Sequence, residues 1–228
     1  MKTEESLSST ESSGRDAGAS GNSRVAPRSA FRVPDSTLIH SLASITEPLS
    51  LEHFFVRPQP IEVELGSGDG SFLVRYAGRH PDRNVLGVER LLGRLRKIDR
   101  KALRASLANL RLLRIEASYF LQYLLPGESV AALHVYFPDP WPKRKHRKNR
   151  LINAGFPDLV RRALAPGGTV YLRTDDADYF LQMNTSFEEH SGFRPVGTPV
   201  ELGELLTDFE TDFQARGIKT LRAAYQRT

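Results

Sequence analysis

The sequence contains no cysteine. That absence excludes disulfides, thiolate metal sites and every cysteine nucleophile, and with them the enzymes that attack a cytosine ring through a thiolate adduct. It also fits a reducing cytoplasm. No apolar run approaches the roughly 20 residues that span a bilayer, so no membrane partner is expected. The stretch from Met1 to Arg24 lacks an apolar segment and mixes acids with serine, which fits neither a secretory signal nor a transit peptide. The six histidines include no His-x-x-x-His pair, and no grouping of Ser, His and acid resembles a hydrolase elbow, so no metal is expected. His134, inside an apolar run, reads as a core residue.

What is present is a chain of 228 residues with a formal net charge of +5. Its length suits one α/β domain with a sizeable core. Residues 1–30 hold many Ser and Gly and almost no large apolar side chains, a composition expected to remain a disordered tail ahead of a single domain over 31–228. Short apolar runs at 61–65, 84–89, 110–115, 131–137 and 169–173 read as strands. Helical patterns lie between them near 71–79, 91–107, 118–124, 150–164 and 176–189. This alternation predicts a doubly wound, mostly parallel α/β sheet, because parallel strands need crossovers. Ligands then bind outside the carboxyl ends of the strands. Pro166-Gly167-Gly168 reads as a turn, and 207–228 as a short helix followed by an antiparallel edge strand from Ile218 to Tyr225.

The segment Glu64-Leu-Gly66-Ser-Gly68-Asp-Gly70 leaves the first of these strands and enters a helix. Glycines there let the chain turn sharply and let a ligand approach the backbone. The Gly-x-Gly-x-Gly spacing differs from that of dinucleotide enzymes, whose helix N-terminus holds a pyrophosphate. Glu64 would repel a phosphate, but it suits the positively charged methionine portion of S-adenosylmethionine. Glu89 ends the next strand, where a carboxylate accepts hydrogen bonds from both ribose hydroxyls, unless an ion pair with Arg90 or Arg94 occupies it. Glu116-Ala117 follows the third strand, beside the expected adenine ring or as a solvated turn.

Pro138-Asp139-Pro140-Trp141-Pro142-Lys143 follows the fourth strand. Its prolines forbid continued sheet or helix and fix Asp139 at the expected reaction centre. A carboxylate there can accept hydrogen bonds from the N1–H and amino group of a guanine, and an aromatic neighbour can stack on a base. Lys143 to Arg150 then adds six Lys or Arg and no acid, a run suited to phosphates. A second basic face, Arg90, Arg94, Lys97, Lys101 and Arg104, is set by helical periodicity against an apolar face of Leu91, Leu95, Ile98 and Ala102. It serves either RNA or solvent.

Together these motifs, with Arg173-Thr174-Asp175 and Thr207-Asp208-Phe209-Glu210, resemble the bacterial tRNA (guanine-N7)-methyltransferase family from about residue 50 to the end. The resemblance implies a Rossmann-like class I fold and methyl transfer from S-adenosylmethionine to N7 of a guanine in the tRNA variable loop. It implies that Glu64, Glu89, Glu116 and Asp139 bind or border the cofactor, with Gly66, Gly68, Gly70 and Ala117 beside them. Lys143, Asp175 and the segment Thr207, Asp208, Phe209 and Glu210 would meet the tRNA, with Asp139 catalytic. The chain departs from the family in having Glu116-Ala117 where Asp-Ala is common, and Asp176 beside Asp175 leaves open which carboxylate faces the site. Monomer and homodimer both remain open. A methyltransferase for another acceptor and a nonenzymatic RNA-binding protein are the competing readings.

Overall fold

A computed structural model describes residues 37–228; the expected tail lies outside the described residues. Among the described residues eight strands form one sheet: β1 (Ile39–His40), β2 (Ile61–Leu65), β3 (Asn84–Val88), β4 (Leu110–Leu113), β5 (Val130–Tyr136), β6 (Leu164–Thr174), β7 (Phe193–Pro195) and β8 (Leu221–Arg227). Their order is β1-β4-β3-β2-β5-β6-β8-β7. Every neighbouring pair from β1 to β6 is parallel, and β8 runs antiparallel to both β6 and β7. The helices are α1 (Ser71–Arg79), α2 (Leu92–Arg104), α3 (Ala117–Tyr119), α4 (Phe156–Ala163), α5 (Ala177–Glu188), α6 (Val200–Glu204) and α7 (Asp208–Ala215).

Alternation along the strands divides the core. Val63 and Leu65 of β2, with Leu133 and Val135 of β5, pack in a cluster with Val160 of α4 and Met183 and Phe187 of α5. Tyr136 of β5 belongs to the other cluster, with Phe72 and Tyr76 of α1 and Leu95, Ile98 and Ala102 of α2. Each β2 acid is therefore two residues from the next and shares the α1 side. Glu62 is buried there, accepting a 2.7 Å hydrogen bond from the Tyr76 hydroxyl, an ion pair from Arg83 and a 2.9 Å contact from His134 Nε2. His134 is a core residue, and burial lowers its pKa.

The five expected strands and their parallel order are present. The helix expected over 150–164 is shorter than its pattern: residues 150–155 are not helical, and α4 runs only from Phe156 to Ala163, with Pro157 in its first turn, while a 3-10 turn occupies 144–149 just before it. Residues 118–124 split into α3 and a π-helical turn. Pro166-Gly167-Gly168 does not separate helix from strand, since β6 begins at Leu164 and a register irregularity against β5 absorbs these residues. The last strand is antiparallel as expected, yet it does not form the edge: β7, too short to stand out in the sequence, covers it. Leu91 is exposed and precedes α2, so only Leu95, Ile98 and Ala102 of the expected apolar face are buried.

Candidate active site

β2 pairs with β3 on one side and β5 on the other, so the sheet's topological switch lies between β2 and β5. Chains leaving these strands diverge to opposite sides and open a crevice. Two neighbouring cavities occupy it, of about 210 and 470 Å³. Gly66, Gly68, Arg94, Tyr136, Phe137 and Phe209 line both.

The smaller cavity is bordered by Glu64, Asp69, Thr207 and Asp208. Glu64 is buried, and its Oε2 has no hydrogen-bond partner among the described residues. Burial pushes its carboxyl up to about 8, the nearby acids Asp69 and Glu89 add to this, and Ser67 and Arg173 oppose it. A buried acceptor without a partner, lining a cavity, is a place for a cationic ligand. Gly66 takes φ +79°, and nothing lies within 4 Å of where a side chain would project, so the chain turns and leaves the cavity wall open. Gly70 plays a different part: it precedes α1 with φ +77°, and a side chain there would strike Ile98 of α2 at 2.6 Å. It sets helix packing and lines neither cavity.

The larger cavity gathers Glu89, Glu116, Ala117 and Asp139. Glu89 closes the glycine turn by accepting from Gly68 N at 3.1 Å and from Leu91 N at 2.8 Å, with Arg94 3.9 Å away. The alternatives of ribose acceptor and ion-pair partner are thus compatible, because each carboxylate oxygen keeps a lone pair. Glu116 caps α3, accepting from Ser118 N and Tyr119 N. These acids, the open glycine turn and the apolar wall at Ala117 and Leu91 suit the sulfonium, ammonium, ribose and adenine of S-adenosylmethionine.

Asp139 is exposed on the wall of the larger cavity. Phe137 and Trp141, two residues to either side, adopt φ 51° and 43°, a left-handed conformation costly for such side chains and concentrated at functional sites. Phe137 and Phe213 meet edge to face at 5.5 Å, and Phe209, 51% exposed, lies 6.0 Å from Phe137. An aromatic rim thus stands beside Asp139.

The remaining expected substrate residues separate into three situations. Thr207 caps α7 and Asp208 receives a hydrogen bond from Ser71 at the smaller cavity. Lys143 and Asp175 are exposed on the loops after β5 and β6 and line neither cavity, whereas Asp176 is engaged as the cap of α5; Asp175 takes no cap role there. Glu210 is not brought to the surface at all. It is 0% exposed and takes ion pairs of 2.7 Å from both Arg173 and Arg222, so it holds α7 against β6 and β8 from beneath.

Arg173 was legible only as part of a late motif, and its role is structural. Its guanidinium lies 4.0 Å above the Tyr136 ring and also donates to the carbonyls of Leu205 and Leu202. The basic runs are likewise thinner than their sequences suggest: Lys101 is spent on Asp69 at 2.6 Å, and Arg150 is buried. A cation at an unexpected place in an apolar strand, as Arg173 is, was the available signal.

A family described as "Putative methyltransferase" matches residues 58–225. A tRNA (guanine-N(7)-)-methyltransferase of Nitrosococcus oceani is 35% identical over 172 residues, covering 75% of this chain and 72% of that protein. One of Halorhodospira halophila is also 35% identical, over 75% of this chain and 74% of its own length. The chain belongs to the tRNA (guanine-N7)-methyltransferase family. Among solved structures, the 16S rRNA methyltransferase KamB is similar with a TM-score of 0.58 at 18% identity, covering 80% of this chain and 95% of that one. TrmN from Thermus thermophilus is similar with a TM-score of 0.53 at 18% identity, over 76% of this chain and 45% of its own. At such identities these two speak for the fold alone, which is that of the class I S-adenosylmethionine-dependent methyltransferases.

Proposed function

We propose that this methyltransferase transfers the methyl group of S-adenosylmethionine to N7 of a guanine in the variable loop of tRNA. The observation that carries this reading is Asp139, held between two left-handed residues on the wall of the cavity that also contains Glu89 and Glu116. Residues 31–228 act as one domain in this reading, and the enzyme works in the cytoplasm, where tRNA is found.

Bound S-adenosylmethionine supplies an electrophilic methyl group on a positively charged sulfur. Guanine N7 has a free lone pair at neutral pH, so no residue has to remove a proton from it. The protein's contribution is placement, which can supply about 7–11 kcal/mol when reacting atoms are held in line. Asp139 accepts hydrogen bonds from the N1–H and amino group of the guanine and fixes the base, with Phe209 and Trp141 available for stacking. The carboxylates of Glu64 and Asp139 favour positive charge at the reaction centre. Glu64, Gly66, Gly68, Glu89, Glu116 and Ala117 hold the cofactor. Lys143, Asp175, Thr207 and Asp208 meet the tRNA, and Glu210 supports that segment from below.

The reading is tested by incubating the protein with labelled S-adenosylmethionine and unmodified tRNA, then mapping label by N7-specific chain cleavage. Cleavage at a variable-loop guanine is expected. Label on an exocyclic amine, or at a guanine elsewhere in the tRNA, overturns the assignment of atom or site.

A further inference from the structure

We infer that Arg150 is a positioning residue for Asp139, a buckle that ties the loop from Pro138 to Pro142 to helix α5. In sequence Arg150 is the last cation of a basic run, where it would be taken for a phosphate ligand. It is only 2% exposed, and its guanidinium is covered by its partners. Nε donates to the carbonyl of Pro140 at 2.7 Å, Nη1 to Gln182 Oε1 at 2.8 Å, and Nη2 to Asp178 Oδ2 at 2.7 Å. The Tyr179 ring lies against its carbon at 4.6 Å.

The loop needs such a tie. Pro138, Pro140 and Pro142 carry no backbone N–H, so they cannot donate to a sheet ladder. Phe137 and Trp141 are both in the left-handed region, which the surroundings must impose. One end is fixed where Phe137 N donates to the Arg173 carbonyl at 2.8 Å. The other end is fixed by Arg150, whose Nε holds the carbonyl of the residue directly after Asp139. Helix α5 presents Asp178, Tyr179 and Gln182 on one face, by i, i+1 and i+4 spacing, and that face is given over to this task. The same helix also secures the chain beyond Arg150: Ile152 N donates to the Tyr179 hydroxyl at 2.9 Å, and Gln182 Nε2 donates to the Ile152 carbonyl at 2.8 Å.

A planar fork is required. Three acceptors in different directions and a stacked ring suit a guanidinium, and an ammonium on a flexible stem cannot reproduce them. Asp178 is 49% exposed and also pairs with Arg147 at 3.1 Å, so the charge partner of the buried cation sits at the surface, where a variant can be made without opening the core.

The kinetic part of the test rests on the proposed function; the spectroscopic part does not. Trp141 is the only tryptophan in the chain and lies in this loop, so its emission and its quenching by acrylamide report the loop without turnover. In full-length R150K, quenching is expected to rise by about twofold and kcat to fall by about tenfold to a hundredfold, the scale of a misplaced reacting group. The KM for tRNA and the Kd for S-adenosylhomocysteine stay within about twofold of the parent in the same variant, since neither contact is removed. D178N is expected to move quenching and kcat in the same direction by less. A folded R150K with unchanged Trp141 quenching overturns the inference, as does a rise in KM for tRNA with kcat intact, which would make Arg150 a phosphate ligand. Should R150K fail to fold, unchanged quenching in D178N overturns it equally. A parent protein that binds cofactor but methylates no tRNA would refute the proposed function, while the fluorescence comparison would still decide the role of Arg150.

Discussion

The two halves of the active site are built differently. On the side of β2, β3 and β4 the shape comes from backbone: a left-handed glycine turn, carboxylates at successive strand ends, and caps made between residues two or three apart, as Glu116 makes to Ser118 and Tyr119. On the side of β5, β6 and β8 it comes from buried arginines reaching across the fold. Arg150 joins the Asp139 loop to α5, 28 to 32 residues away, and Arg173 joins β6 to Glu210, 37 residues away. A small cofactor can be received by local geometry. A rim that must place a base of a large RNA is held by side chains that lock separate segments together.

The contrast is tested most severely at Asp139, which belongs to the larger cavity and is positioned by the arginine-held side. D139A is expected to lower single-turnover methylation by at least about a hundredfold while leaving the melting temperature nearly unchanged, because an exposed loop carboxylate carries orientation rather than packing. Rates of tRNA methylation alongside thermal melts check this. Turnover near that of the parent would remove Asp139 from the chemistry.

Next in size is the clamp under α7. In E210Q the carboxylate between Arg173 and Arg222 is lost, and a buried cation remains without its partner. Breaking such a pair costs about 3–5 kcal/mol. At roughly 2–4 °C per kcal/mol for a chain of this size, the melting temperature should fall by about 6–20 °C. A variant as stable as the parent that nonetheless loses tRNA binding would mean that Glu210 reaches substrate after all. The distinction between the two halves would then fail.

Glu64 sharpens the comparison from the cofactor side, because there function opposes stability. Its folded pKa is raised above that of an exposed carboxylate, to about 8. The native state therefore holds the proton over a range where the unfolded chain has released it, and stability declines as pH rises from about 4.5 to about 8. E64Q removes that penalty. At pH 8 the cofactor-free variant should be more stable by about 2 kcal/mol or more, roughly 4–8 °C, while losing affinity for S-adenosylmethionine. In the parent, a cationic ligand beside Glu64 expels the proton, so affinity should climb from pH 6 towards pH 8 and then level off. Calorimetry in buffers of different ionisation enthalpy measures the released proton directly, and pH-independent affinity would place the cofactor's charge elsewhere.

This division also explains how much could be read from the sequence. The order of strands and helices follows from apolar periodicity, and the Gly66 turn, Glu89 and Asp139 stand out as motifs at strand ends, although bonds that hold Glu89 and the Asp139 loop come from residues elsewhere along the chain. Glu210 and Arg150 look from sequence like substrate ligands because one follows Thr207, Asp208 and Phe209, which line the cavities, and the other ends an otherwise largely exposed basic run. Their burial depends on what α5, β6 and β8 bring to them across the fold, and no local pattern encodes that. The 3-10 turn at 144–149 was hidden similarly: a run of cations reads as one surface, although its last member turns inward.

The smallest expected effect separates affinity from placement on the substrate side. Lys143 is exposed just beyond Pro142, and its ammonium belongs to none of the buried clamps. If it meets an RNA phosphate, its contribution is electrostatic and independent of base identity. K143A should then raise the KM for tRNA by only a few fold and reduce the slope of log affinity against log salt by about 0.7 to 1. The maximal rate at saturating tRNA, Trp141 quenching and S-adenosylhomocysteine affinity should remain those of the parent, unlike the pattern expected of R150K. A loss of kcat in K143A with an unchanged salt slope would show that the lysine orients the base instead, and would move it from the phosphate-binding surface into the group of residues that place Asp139 and its substrate.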